Sequence, residues 1–249
     1  MIKVLSIGNS FSQDATRYLH GIAKSAGVDL KSVNLYIGGC PLSEHYINAL
    51  ENRPNYSLQF NGEGTGFYVS IKDALLSESW NGWDYITIQQ VSHQSPFYDT
   101  YQPYLNFVAE YIRKYAPKTK LLIHQTWAYE QGSDRLTKEL GYNDYHDMLK
   151  DIINSYNKAC SDTNAYGIIP SGEAFDRLLD NGIEKVHRDT FHASLGLGRY
   201  TLGLVWYEVL TGNTTENVSF RDFDVPVTEE EIAIAKKSAH EAVMKYWDK

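Results

Sequence analysis

From its first residues the chain alternates short apolar runs with amphipathic stretches. Ile2–Ile7 reads as a core strand. Between about Asp14 and Ala26, the residues Ala15, Tyr18, Leu19, Ile22, Ala23 and Ala26 recur at helical spacing, and Gly27 stops that helix. Val33–Ile37 reads as a second strand ending in Gly38-Gly39. Tyr56–Phe60 and Gly66–Ile71 then flank the turn-rich Asn61-Gly62-Glu63-Gly64-Thr65, which predicts a small β-hairpin inserted beside the sheet. Regular alternation follows: strand Tyr85–Gln89, helix Tyr104–Tyr115, strand Leu121–Gln125, helix Tyr145–Cys160, strand Tyr166–Ile169 and a helical segment at Gly172–Leu179. Ala193–Leu210 reads as a helix packed on the sheet. The last helix opens with a capping box, Thr228 to Glu231, and runs to about Trp247. Strands alternating with helices predict an α/β fold with a parallel sheet flanked by helices. With no linker, repeat or low-complexity tract, the expectation is one domain over residues 1–249.

Composition narrows the class. The chain has 249 residues, 43% hydrophobic and 22% charged, enough for a substantial core and normal for a globular protein. A formal charge of −8 argues against a nucleic-acid partner, because phosphate binding needs a basic surface. No apolar run approaches the roughly 18 residues of a membrane span, and Met1 leads straight into the first strand without a signal peptide. The expected location is therefore cytoplasmic, or secreted or periplasmic if a leader has been removed. Cys40 and Cys160 lack metal-ligand spacing, and one disulfide or two free thiols fit equally. The 19 tyrosines and five tryptophans suit either a core and rim or a sugar-binding cleft.

Candidate chemistry gathers at the ends of these elements. The first strand ends in Gly8-Asn9-Ser10, the second in Gly38-Gly39, and Asp189-Thr190-Phe191-His192 precedes a C-terminal helix. Ligands of open parallel sheets bind at the carboxyl ends of the strands, so the first two features share an edge. A serine hydroxyl needs a general base, normally histidine, and a third group to set its tautomer. Asp189 and His192, three residues apart, can supply both. Taken singly each feature has a plainer reading: Ser10 or Ser12 as a helix cap, Gly38-Gly39 as a turn, Asp189 and His192 as a surface pair. Their order along the chain and their shared placement favour the catalytic reading. His187, His93 and His124 compete as the base. His187 has no Asp three residues before it, His93 suits a cleft wall, and His124 ends a strand where core histidines are common. His187, Asp189 and His192 match no recognised zinc spacing, so no metal is expected. Cys40 reads as a small buried residue at the cleft floor. Gly8-Asn9-Ser10-Phe11-Ser12 lacks the phosphate-cradling glycine patterns of nucleotide sites.

With these residues in place the chain resembles the SGNH (GDSL-type) hydrolases from Gly8 to the helix after His192. Gly8-Asn9-Ser10-Phe11 matches the family's Gly-Asp-Ser-(Leu) block. Asn34-Leu35-Tyr36-Ile37-Gly38-Gly39 matches the second block, and Asp189-Thr190-Phe191-His192 the last, Asp-x-x-His. Together with Thr87-Ile88-Gln89-Gln90-Val91-Ser92, these segments look like a bacterial subfamily catalogued as a domain of unknown function. The resemblance implies a three-layer α/β/α sandwich with a mostly parallel, flavodoxin-like sheet. It also implies a Ser10-His192-Asp189 triad, no cofactor, and an oxyanion hole formed by the Ser10 and Gly39 N–H groups and a side-chain amide. That amide is where the chain departs: the family's Gly-x-Asn-(Asp) is replaced by Gln89-Gln90-Val91-Ser92-His93-Gln94. Gln90 is assigned the donation, as in a sialate O-acetylesterase-like branch with Gln-Gly-Glu here, and Gln94 is the alternative. The implied activity is ester hydrolysis, with a carbohydrate O-acetyl ester as the expected substrate. His93, Gln94, Trp127 and Tyr129, with Tyr98 and Tyr101, are the candidate substrate contacts. Alternatives are a lipase- or thioesterase-type hydrolase, or a carbohydrate-binding protein that has lost turnover.

Overall fold

The computed structural model describes residues 1–78 and 82–247. Its strands are β1 (Ile2–Gly8), β2 (Leu30–Tyr36), β3 (Tyr56–Phe60), β4 (Glu63–Val69), β5 (Tyr85–Ile88), β6 (Lys120–Gln125) and β7 (Gly167–Pro170). They form a seven-stranded sheet in the order β4-β3-β2-β1-β5-β6-β7. The five strands from β2 to β7 run parallel, with Ile2 opposite Leu30 and Val4 opposite Tyr85. β3 and β4 are antiparallel additions to the β2 edge. The chain leaves β1 towards β2 on one side and returns to β5 on the other. The carboxyl ends of β1 and β5 therefore flank a topological switch point, where a crevice opens.

The helices are α1 (Ser10–Thr16), α2 (Leu19–Ser25), α3 (Leu42–Leu50), α4 (Ile71–Leu76), α5 (Tyr104–Tyr115), α6 (Tyr145–Asp162), α7 (Ser171–Asp180), α8 (Leu197–Thr211) and α9 (Glu229–Trp247). α8 is buried from Tyr200 to Leu210 and packs against α1, α2, α7 and α9, whereas α5 packs with α3 and α4. The result is a three-layer α/β/α sandwich with a mostly parallel sheet. Val4, Leu5, Ile7, Ile86, Ile88, Leu122 and Ile123 from its central strands are all buried. Among the described residues no helix is long and apolar enough to cross a membrane.

The structure differs from the sequence reading in four places. The single helix expected from Asp14 is two, beginning at Ser10 and interrupted at Arg17-Tyr18. At the interruption the Tyr18 hydroxyl donates to the Leu195 carbonyl and accepts from the Asp224 N–H, while the Arg17 guanidinium pairs with Asp224. The hairpin joins the main sheet instead of lying beside it. Its turn is the two-residue Asn61-Gly62, with φ of 51° and 86°, which starts β4 three residues earlier than expected. A side chain at Gly62 would strike the Arg17 carbonyl, so glycine is required there. α3 and α4 lie where no helix was expected. Ala193–Gly196 is extended or turn backbone, with Ala193 bridged to His187, and α8 begins at Leu197. The Thr228–Glu231 capping box forms: Thr228 N–H donates to Glu231 Oε2 at 2.8 Å and Glu231 N–H to Thr228 Oγ1 at 3.2 Å.

Candidate active site

Ser10 is the first residue of α1, separated from the end of β1 by Asn9 alone. Gly8 permits this sharp reversal, since a Cβ there would collide with Ser12 Oγ. Asn9 is extended and caps the helix, its Oδ1 accepting the Phe11 N–H at 3.1 Å. At the first turn the Ser10 N–H has no intrahelical acceptor. Asn9 is also the end of a buried neutral chain. Its Oδ1 accepts from Gln89 Nε2 at 2.9 Å, and its Nδ2 donates to the Cys40 carbonyl at 3.1 Å. Because the Gln89 amide nitrogen donates, its Oε1 accepts from His124 Nδ1 at 2.6 Å, and His124 Nε2 then accepts from Ser171 Oγ at 3.1 Å. Burial lowers the His124 pKa to about 3, so the imidazole is neutral. An aspartate at position 9 has no N–H for the Cys40 carbonyl, which explains the asparagine.

His192 sits on the irregular segment 188–193. Asp189 holds it twice: Oδ1 accepts the His192 backbone N–H at 2.9 Å and Oδ2 faces Nδ1 at 2.8 Å. With Nδ1 bonded to a carboxylate, Nε2 is the free base, and it lies 2.9 Å from Ser10 Oγ. Partial burial raises the Asp189 pKa, but the hydrogen bonds from His192 outweigh it and hold the carboxyl below its usual range. The carbonyls along this segment are clamped in turn. Thr190 O accepts from Glu130 N–H at 2.8 Å, Phe191 O from Trp127 Nε1 at 2.7 Å, and His192 O from Arg188 N–H at 3.0 Å. At the apex Thr190 has φ of 74°, a left-handed conformation that a β-branched residue rarely adopts. Sequence reasoning missed this clamp, and nothing local in Trp127 or Glu130 announces it.

The other candidate residues divide. Gly39 is exposed with φ of 63°, in a turn closed by Cys40 N–H to Ile37 O at 3.3 Å. The Gln90 amide is fully committed elsewhere. Its Oε1 accepts the Leu42 and Val91 N–H groups at 2.9 Å each, and its Nε2 donates to the Thr100 carbonyl at 3.1 Å. Gln90 therefore anchors loops and presents no donor to the crevice, contrary to its assignment from sequence. Gln94 is half-buried and its side-chain amide has no partner among the described residues. His93 is exposed, its pKa lowered by partial burial and then by Arg135.

Trp127, Tyr129 and Tyr101 are 0%, 1% and 1% exposed, so none offers a face to a sugar. Trp127 instead stacks on Phe11 at 4.0 Å between ring centroids and clamps Phe191, while Tyr129 shares a hydrogen bond with Ser92. Tyr98 is bonded to Asp162 at 2.6 Å. His187 Nε2 donates to the Ala128 carbonyl at 3.0 Å, and burial lowers its pKa to about 4. Among the described residues no three His, Cys, Asp or Glu side chains are grouped to hold a metal ion. Cys40 and Cys160 are both free thiols, Cys40 buried at the base of the Gly39 turn with burial pushing its pKa up.

A search of curated proteins returns no match. Solved structures do match. A crystal structure of a DUF4886 family protein from Bacteroides uniformis is 34% identical, with TM-score 0.90, covering 98% of this chain and 95% of that one. A protein from Slackia heliotrinireducens assigned to the SGNH hydrolases is 22% identical with TM-score 0.59, covering 83% and 97%. A carbohydrate esterase family 3 structure from Talaromyces cellulolyticus is 12% identical with TM-score 0.53, covering 88% and 100%. The last two establish likeness of fold. The family model described as "Domain of unknown function (DUF4886)" matches residues 3–242. The chain thus belongs to the DUF4886 family and carries the SGNH hydrolase fold.

Proposed function

We propose that the protein is a serine ester hydrolase working by acyl transfer. The observation that carries this reading is the unbroken line of contacts from Asp189 through His192 to Ser10, at 2.8 and 2.9 Å, at the carboxyl end of β1. In the first step His192 Nε2 takes the Ser10 proton as Oγ attacks the ester carbonyl. Asp189 stabilises the imidazolium, which then protonates the departing alcohol. Water, activated by the same imidazole, releases the acyl group. The N–H groups of Ser10 and Gly39 hold the oxyanion. With Gln90 committed elsewhere, we assign the side-chain donation to Gln94 on the same loop. A lost oxyanion donor costs about 10²–10³ in rate.

The substrate we favour is a small acyl ester, acetyl, on a carbohydrate. Two observations support it. Phe11, whose ring lies 6.0 Å from that of His192, stacks on Trp127 at 4.0 Å, and Trp127 packs tilted against Phe175 at 4.9 Å, a run of aromatic rings that suits a short acyl group. The likeness of fold to a carbohydrate esterase supports the alcohol portion. The test is acetate release from acetylated xylan and from p-nitrophenyl acetate, by wild type and Ser10→Ala. A loss of about 10⁴-fold or more is expected, and equal rates would remove Ser10 from the chemistry. Longer p-nitrophenyl esters cleaved faster than the acetate would overturn the choice of acyl group.

A further inference from the structure

Ser10 and His192 are 182 positions apart in sequence and share no element, yet their contact is 2.9 Å. Something must hold α1 and the 188–193 segment in register, because a misplacement of about 1 Å costs up to 10²-fold in rate. One buried carboxylate joins them directly. Asp14 lies in α1, one turn after Ser10, and is 0% exposed. Its Oδ1 and Oδ2 accept from Arg188 Nη1 at 3.0 and 2.9 Å, and Oδ1 also accepts from Arg199 Nε at 2.8 Å.

Arg188 immediately precedes Asp189. The same Nη1 donates to the Ala193 carbonyl, and the Arg188 backbone N–H donates to the His192 carbonyl at 3.0 Å. A single guanidinium nitrogen therefore touches the helix that begins with Ser10 and the backbone just beyond His192. Arg199, at the start of α8, continues the line to Asp224 at 2.7 Å, which Arg17 also holds at 2.7 Å. Buried ion pairs are poor evidence of stability, since apolar replacements of equal shape often serve as well. They do fix one geometry among several, and here that geometry spans the reacting pair.

We propose that Asp14 is a positioning residue: through Arg188 it sets the register between Ser10 and His192. The proposal rests on the hydrolase reading above. Its test compares Asp14→Asn, which keeps the shape and removes the charge, with Arg188→Gln and Arg188→Lys. Rates are taken at a temperature where circular dichroism shows each variant folded, using p-nitrophenyl acetate turnover and the rate of Ser10 labelling by a fluorophosphonate. Asp14→Asn and Arg188→Gln are expected to lower kcat and the labelling rate together by about 10- to 100-fold, with KM within about twofold. Arg188→Lys should restore part of the loss, because one nitrogen makes all three side-chain contacts. Wild-type kcat per folded molecule in both charge-removing variants would overturn the proposal. If Asp14→Asn does not fold, the two partly exposed Arg188 variants decide.

A wild type with neither turnover nor labelling would sink the hydrolase reading instead. The register is then read without chemistry, from the nuclear Overhauser contact between the His192 ring and the Ser10 β-protons across the 2.9 Å contact. Its loss in Arg188→Gln supports the proposal, and its persistence unchanged refutes it.

Discussion

Ser10 stands where β1 turns into α1, above a chain of buried neutral groups: the Asn9 and Gln89 amides, the His124 imidazole and the Ser171 hydroxyl. His192 stands on a segment with neither helix nor strand, held by clamped carbonyls, a carboxylate and a guanidinium. Around Ser10 itself the placement comes from regular backbone and from hydrogen bonds with no net charge, and charge enters only one turn later, where Asp14 meets Arg188 and Arg199. The His192 segment takes its precision from charge and from side chains reaching in from elsewhere, with Asp189 47% exposed along its side chain. Substitutions in the neutral chain around Asn9 should therefore register as stability, and substitutions in the His192 segment, or in the Asp14–Arg188 pair that ties it to α1, as rate.

The largest expected effect tests that division directly. Asp189→Asn keeps an oxygen for the His192 backbone N–H but offers Nδ1 a donor or a neutral acceptor, favouring the wrong tautomer. Loss of about 10⁴-fold in kcat is expected, with the midpoint of thermal unfolding nearly unchanged because the group is half-exposed. A large fall in that midpoint would show the two regions to be one structural unit.

Asn9→Asp attacks the neutral chain. A carboxylate there faces the Cys40 carbonyl, which loses its donor, and an unsatisfied buried group costs about 1–3 kcal/mol. That corresponds to a midpoint lowered by roughly 5 °C. The sign with pH is fixed. Burial raises the folded-state pKa of the new carboxyl, so the folded state binds its proton more tightly and stability falls as pH rises above about 4. Thermal melts at pH 5 and pH 8 check this, and a variant equally stable at both would mean that the position admits water.

Why some of this was legible in the sequence, and some not, follows from the same contrast. The strand-turn-helix around Ser10 and the Asp-x-x-His step are local, and local patterns are what a sequence displays. α1 was expected to start later because Ser12, Asp14 and Thr16, on its buried side, are polar, Ser12 and Asp14 being satisfied by distant partners and Thr16 by the Ser12 carbonyl. α3 was invisible for a related reason: of its buried residues Leu42, His45, Asn48 and Ala49, two are polar, and they meet the Tyr56 hydroxyl instead of an apolar core. Gln89 and Gln90 are adjacent and chemically identical, and only the path of the backbone just beyond β5 decides that one serves Asn9 and the other Leu42. Trp127 sits near a strand end, where a cleft or a core is equally in keeping. Its role is decided by the Phe191 carbonyl, 64 residues away.

A smaller effect comes from the buried histidines. Burial lowers His45 and His124 to about 3 and His187 to about 4, against 6.5 in the unfolded chain. Between those values the unfolded state binds protons that the folded state refuses, so stability is lost as pH falls below about 6.5. Each histidine adds a slope of up to about 1.4 kcal/mol per pH unit. Urea unfolding at pH 7, 6 and 5 should show this, and His45→Gln should remove one such increment from the slope. An unchanged slope would place the titration elsewhere.

Thr190→Gly should have the smallest effect on stability and still distinguish the two regions. Glycine adopts a φ of 74° freely, which relieves about 1 kcal/mol of strain, but it also loosens the unfolded chain by a similar amount. The two terms nearly cancel, so the unfolding midpoint should move by no more than about 3 °C. Rate has no such cancellation. Thr190 lies between Asp189 and His192, and a stiff residue there keeps the carboxylate and imidazole at 2.8 Å even while the segment's outer face is in water. Replacing it with the most flexible residue widens the distribution of that distance, and kcat should fall severalfold while KM holds. Unchanged kcat would mean that the carbonyl clamps from Trp127, Glu130 and Arg188 are sufficient by themselves, leaving the strained threonine no part in placing the base.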